Sequence, residues 1–430
     1  MFCRADPVAY PLLKWQRSKM SLLVKTTSAK PEHYSWALPA RKWLLVASSS
    51  LVYLAALARA KGESRADYRY DFYSEDAGRI QVETHGLYFD AAVNAALSLK
   101  GNVLVDSISG ATPDGSPPLP GQHSVATSEM HDRRYAGFIE PTVKFSNHTL
   151  SPQIAYSEES DYRSIGVALN DAMDFNEKNT TVLVGLSHAF DHILPNEGER
   201  FTSGKNIDAP ITTALQKDDS EVLLGLTQLL DADTVATANV TLGYSDGFLT
   251  DPYKRVVFDN FPFFGSVYTT FPEKRPGYKF RQIIFLSLQH HFEKIKGALE
   301  VTYRFQHDSY GILANTASLQ WHQKIGKRVI VSPLLRFHTQ TAADFYATHF
   351  AGDPTDPGST IPLPDYYSSD YRLSALNTFT YGVQVSAKIA KHVSLDLAYK
   401  HYEMFGNDGV TASAQYPKAH IFTGGLTVWF

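Results

Sequence analysis

Two short stretches carry the residue types from which chemistry could be built. Asp106-Ser107-Ile108-Ser109-Gly110-Ala111-Thr112-Pro113 is followed, after a Pro/Gly-rich stretch, by His131-Asp132-Arg133-Arg134-Tyr135. Hard oxygen ligands at Asp106, Asp132 and Glu83 would suit a calcium ion. The same residues could instead make a turn, since Gly110 tolerates positive φ and Pro113 fixes the chain after Thr112. Such a turn would fold a long loop into a mouth, hydrogen-bonded to Arg134. Parts of a hydrolytic set exist too: Ser109, His131 with Asp132, and the His290/His291 pair. No G-x-S-x-G or H-E-x-x-H pattern accompanies them, so no catalytic residue is assigned and an enzyme is not expected.

The elements that must position these residues read as β-strands. Val393, Leu395, Leu397 and Tyr399 alternate with Ser394, Asp396, Ala398 and Lys400, and Leu299, Val301, Tyr303 and Phe305 alternate with Glu300, Thr302, Arg304 and Gln306. Period-two alternation is the signature of a strand with one apolar and one polar face. The segments run to about 10–14 residues, longer than soluble strands and suited to tilted membrane strands. Aromatics near their ends (Tyr68, Tyr70, Phe72, Tyr399, Phe422) suit the girdles at the two membrane interfaces.

Sixteen strands are expected: 66–74, 79–91, 95–107, 133–145, 149–157, 162–174, 179–190, 220–230, 234–246, 278–291, 297–306, 311–323, 327–341, 370–388, 392–404 and 418–430. The connections 108–132, 191–219, 247–277 and 342–369 are long and fall on one side; most of the others are tight. Long extracellular loops, short periplasmic turns and an even strand count are what a transmembrane up-and-down barrel requires. The polar face would then line a water-filled lumen with Arg69, Asp71, Glu83, His85, Lys100, Asp106, Arg134, Glu140, Lys144, Arg281, His291, Glu300, Arg304, Arg336, His338, Asp396 and Lys400. Those charges serve either as a solvated wall with structural ion pairs or as a selectivity constriction. Asp251-Pro252-Tyr253-Lys254-Arg255, with Phe258, Phe261, Phe263 and Phe264, reads as a ligand loop or a plug packed inside the barrel, its apolar density favouring the plug.

Composition agrees. Tyr (24) and Phe (25) are abundant, charged residues make up 20% of the 430, and the net charge of −4 gives no basic footprint for nucleic acid. The one cysteine, Cys3, lies upstream of a segment with the marks of a signal peptide: Arg41 and Lys42, an apolar run from Trp43 to Leu57, then Ala58-Arg59-Ala60. Residues 1–60 are therefore expected to be an N-terminal extension and signal peptide, and 61–430 the barrel. No thiol would remain for disulfides, thiolate metal sites or attached haem, and no cofactor is expected.

Asp106 to Pro113 and His131 to Tyr135, with the acidic, tyrosine-rich stretch from Tyr68 to Asp76, resemble the bacterial family known as domain of unknown function 3570. The resemblance runs from about Ala66 to Phe430. It implies an outer-membrane barrel, and makes Asp106, Ser109, Gly110, Ala111, Thr112, Pro113, His131, Asp132 and Arg134 the motif loop. It brings no activity with it. Genes of that family often sit beside thioredoxin-like, small lipoprotein and flavin-transferase genes, so the resemblance implies a redox- or flavin-linked envelope process, with a periplasmic lipoprotein or thioredoxin-like partner.

The last strand supplies the remaining expectation. Phe422, Gly424, Leu426, Val428 and Phe430 would face lipid, and Thr423, Gly425, Thr427 and Trp429 the lumen. A terminal aromatic after such alternation (Phe422, Leu426, Val428, Phe430) resembles the signal read by the outer-membrane assembly machinery. Expected partners are thus outer-membrane lipid and that machinery. The expected function is a pore or transport-supporting barrel in a Gram-negative outer membrane, the alternatives being an envelope scaffold or a rim hydrolase.

Overall fold

The computed structural model describes residues 64–119, 121–194, 200–203, 206–210, 214–259, 269–356 and 360–430. The expected signal peptide, Cys3, Phe261, Phe263 and Phe264 lie outside the described residues.

Alternation along the chain becomes β1 (Arg65–Glu75), β2 (Gln81–Ala92), β3 (Leu97–Pro113), β4 (Thr127–Phe145), β5 (His148–Glu158), β6 (Tyr162–Phe175) and β7 (Thr180–Ile193). A small hairpin follows, β8 (Arg200–Ser203) with β9 (Asn206–Pro210), then β10 (Leu215–Leu229) and β11 (Thr234–Gly247). A second small hairpin joins β12 (Arg255–Val257) to β13 (Thr270–Pro272). The chain ends with β14 (Tyr278–Phe292), β15 (Gly297–Asp308), β16 (Leu313–Ile325), β17 (Val329–Gln340), β18 (Leu376–Ala390), β19 (Val393–Gly406) and β20 (Lys418–Trp429).

Sixteen of these strands, all but the two hairpins, close into one antiparallel barrel in chain order, the number and type expected from the alternation. The seam pairs β1 with β20, from Arg65 opposite Trp429 to Glu75 opposite Ala419. Ser64 and Phe430 extend it, each N–H bonding the other's carbonyl, at 3.2 and 2.9 Å. Closure leaves no strand edge with unpaired backbone groups, the condition for a sheet to sit in hydrocarbon.

The outward face carries Leu286, Leu335 and Leu397, 45, 48 and 55% exposed, and Phe422 and Leu426 on β20. The inward face carries Asn102, Glu140, Thr142 and Thr427, each buried by its neighbours. Apolar exposure on that scale is covered by lipid in a membrane barrel.

The connections 114–126, 194–214, 248–277, 341–375 and 407–417 all leave the same end, together with the short ones at 76–80, 159–161 and 309–312, while the other end carries only short turns. Several boundaries differ from expectation by a few residues (β10 starts at Leu215 rather than 220), and two of the differences bear on the site. The β3–β4 hairpin extends out to Pro113 opposite Thr127, so the expected turn at Ser109 to Pro113 is strand. β18 starts at Leu376 rather than 370, because Asp370 caps a short 3₁₀ turn over Tyr371–Leu373 and its side chain accepts from the Arg372 N–H at 3.1 Å.

Candidate functional site in the lumen and its cap

Strand register assigns each expected lumen residue to a face. Arg69 and Asp71 point inward with Thr423, Gly425 and Thr427; Asp71 accepts from the Thr423 hydroxyl. Lys100 faces Glu140 and Asp106 faces Arg134 across β3 and β4. Arg281, His291, Glu300, Arg304, Arg336, His338, Asp396 and Lys400 follow the inward parity of their strands. Glu83 and His85 do not. They stand opposite Phe72 and Tyr70 on the outward face, both exposed, with His85 hydrogen-bonded to the Tyr68 hydroxyl at 2.8 Å. They lie toward the long-loop end of β2, where an outward polar side chain can reach water. Alternation there does not distinguish the two faces.

The motif is a strand extension. Asp106 accepts from Thr84 Oγ1 at 2.6 Å and from Arg134 Nε and Nη2 at 2.6 and 2.5 Å, so its charge is fully engaged. Glu83 is on the opposite face from Asp106, so Asp106, Asp132 and Glu83 do not converge as a calcium site. Gly110 sits at φ 114° with the Arg79 carbonyl oxygen 2.2 Å from where a Cβ would be. Only glycine meets both conditions. Thr112 and Pro113 are buried.

Where the motif ends, the cap begins. Lys254 donates to the Pro113 carbonyl, and the Arg255 N–H bonds the Asp114 carbonyl at 2.8 Å. Gly115 is packed so closely against the carbonyls of Arg255 and Ser369 that an added Cβ would lie 2.9 and 3.1 Å away. The loops involved are rooted between β3 and β4, β11 and β14, and β17 and β18, far apart around the ring. They meet only by crossing the mouth. Tyr253, Val256, Val257 and Phe258 are buried in this crossing, so the Asp251-to-Arg255 stretch packs as a plug. Phe258 contacts Phe271, Phe350 and Tyr367.

A buried ionic cluster ties the cap together. Arg275 reaches Glu273 at 2.6 Å and Asp370 at 2.8 Å, and Arg372 reaches Asp370 at 2.5 Å and Asp251 at 2.6 Å. The carboxylates are at most 1% exposed. Burial alone would raise the Asp370 carboxyl, but Arg372, Lys254 and Arg275 outweigh it and hold the group well below the usual carboxylate range. Burial lowers the Lys254 ammonium despite the nearby Asp370. Sequence reading missed Glu273, Arg275, Asp370 and Arg372. The available signal was a repeated acid-x-Arg triplet, Glu273-Lys274-Arg275 and Asp370-Tyr371-Arg372, in two different long loops.

Two other sets resolve differently. Asp132, Glu159 and Asp161 bring carboxylate oxygens within 4.8 Å of one another, an arrangement that could hold a hard cation; the plug's Tyr253 hydroxyl donates to Asp161. Ser109 and His131 stand opposite each other across β3 and β4, while Asp132 points to the other face. The acid therefore does not back the histidine. His290 faces outward on Thr234 at 2.9 Å, and His291 inward on Asp233 at 3.0 Å.

A closed antiparallel barrel of sixteen strands, apolar outside and charged within, is an outer-membrane β-barrel. The family model described as Protein of unknown function (DUF3570) matches residues 35–422, and the chain belongs to that family. No curated protein matches it. Among solved structures, CdiB from Acinetobacter baumannii aligns at TM-score 0.46 and 9% identity, over 85% of this chain and 60% of its own. OccK11 (OpdR) of Pseudomonas aeruginosa aligns at 0.40 and 9%, over 86% and 96%. The siderophore receptor PirA of the same organism aligns at 0.40 and 10% over 85% of this chain, which spans 62% of the receptor.

Proposed function

We propose that this barrel forms a pore across the outer membrane of a Gram-negative bacterium, closed at its long-loop end by the folded cap. The observation that carries this reading is a charged, water-compatible inner wall beneath loops that cross the mouth. A barrel of this strand number is wide enough for water, and mixed charges on its wall avoid the cost of burial in lipid. Two ion pairs, Arg275 with Asp370 and Arg372 with Asp251, join the 248–277 loop to the 341–375 loop and hold the cap shut, with Lys254 anchoring it on the Pro113 carbonyl. A movable cap of this kind can open without disturbing the barrel's strand pairing.

Planar-bilayer recording tests it. The intact protein should show rare, brief current steps, and a variant lacking residues 248–277 should conduct steadily. Absence of current from both proteins, each first verified as folded by its heat-modifiable gel mobility, would sink the pore reading.

A further inference from the structure

Most charged side chains on the inner wall are neutralised by a neighbour: Asp106 by Arg134, Asp219 and Glu221 by Arg281, Asp308 by Lys279. The wall from β15 to β19 departs from this. Arg336 of β17 is exposed to the lumen and, among the described residues, makes no hydrogen bond or ion pair; the half-buried Lys400 ammonium of β19 likewise makes none. Arg304 of β15 donates only to the neutral Gln306, at 2.8 Å, while lying within electrostatic range of both Arg336 and Arg281. Glu221, a carboxylate within the same electrostatic range, is already engaged by Arg281 at 3.3 Å.

These cations share a region of the wall. Arg304 is opposite Thr316 on β16, and Arg336 is opposite the next inward residue, Ser318. Their strands are two spacings apart, about 10 Å, within the combined reach of two arginine side chains. The side chains between them are short hydroxyls, which leave room; the Thr316 hydroxyl is hydrogen-bonded to His338 at 2.8 Å. Lys400 leans across Gly382 of β18, its Cγ 2.7 Å from where a Cβ would stand, and Gly382 neighbours the Thr380 that faces Arg336. The acids of these strands lie lower. Glu300 and Asp396 are four residues nearer the short-turn end than Arg304 and Lys400, roughly 13 Å along a strand.

We propose that Arg304, Arg336 and Lys400 form a seat for a small multivalent oxyanion, a phosphate or a di-carboxylate, part-way down the lumen. Guanidinium groups with unfilled donors, side by side on one wall with only hydroxyl side chains on the strand between them, are complementary to an anion that bridges them in bidentate fashion. The wall would leave them repelling one another otherwise. This deepens the pore reading, on which its transport meaning rests, by naming the cargo class.

The test is binding, which needs no current. The folded barrel in detergent is titrated separately with inorganic phosphate and with succinate, followed by calorimetry at neutral pH. Saturable binding of at least one is expected, the tighter identifying the class. Arg304→Gln and Arg336→Gln should each weaken it by about tenfold, the loss of one charge-assisted contact. Arg69→Gln, which removes another cation without an ion pair on the β1 wall, should leave it unchanged, and all variants must retain heat-modifiable mobility. Failure of the folded wild type to bind either anion, or an equal loss in Arg69→Gln, overturns the seat. A barrel that conducts but does not bind would refute the seat and leave the pore.

Discussion

The Arg372 guanidinium reaches the Asp251 carboxylate at 2.6 Å, joining the loop after β17 to the loop after β11 across 121 residues of chain. The same guanidinium holds Asp370. A buried network of this kind adds little net stability by itself, because desolvation offsets the attraction, but removing one partner leaves the others exposed to the full cost.

Arg372→Ala should therefore loosen the cap by on the order of 3–5 kcal/mol while leaving the strands paired. Limited proteolysis in detergent would show new cleavage within 248–277 and 341–375, with the barrel core still resistant. Cleavage no faster than in wild type would mean that the cluster does not hold the cap.

Acid should open the cap by a route that Asp370 sets. Its folded-state value is depressed, so its contribution is present above the unfolded carboxyl value and is lost as pH falls toward the folded one. The cap's near-ultraviolet circular dichroism, from Tyr253, Tyr367 and Tyr371, should hold constant from neutral pH to about pH 5 and decline below about pH 4. Asp370→Asn should lack that acid-dependent step. Parallel decline in both proteins would assign the transition elsewhere.

Gly110→Ala places a Cβ against the Arg79 carbonyl at a positive φ, a combination costing roughly 1–3 kcal/mol. Gly424→Ala, with nothing within 4 Å of the new methyl, should change stability by less than about 0.5 kcal/mol. The temperature at which each variant loses its compact gel mobility compares them directly. Equal temperatures for the two would show that the β3 extension tolerates a side chain.

Deleting Phe430 removes both backbone bonds that extend the β1–β20 seam and the aromatic that ends the outward row of β20. The fraction of heat-modifiable barrel recovered from membranes should fall, whereas a conservative Phe430→Tyr should restore it. Full recovery of the deletion variant would remove the terminal residue from assembly.

Strand number, the hand of each face and the position of the long connections were legible in the sequence because all three depend on a local period. Val393 to Lys400 alternate whatever surrounds them, and a side chain's face follows from its neighbours one residue away. That logic gives way where the strand leaves the membrane. Glu83 and His85 point outward, and the Ser109-to-Pro113 stretch remains strand, because water accepts polar groups on either face there. The cap was not legible beyond the plug character of Asp251 to Arg255. Lys254 meets Pro113 across 141 residues and Glu273 meets Ser368 across 95. Only closure of the ring brings those loops to one mouth. The unpaired Arg304, Arg336 and Lys400 follow the same rule. The sequence placed each on the inner wall, but whether a carboxylate stood opposite depended on strand register and ring position, which no local pattern encodes.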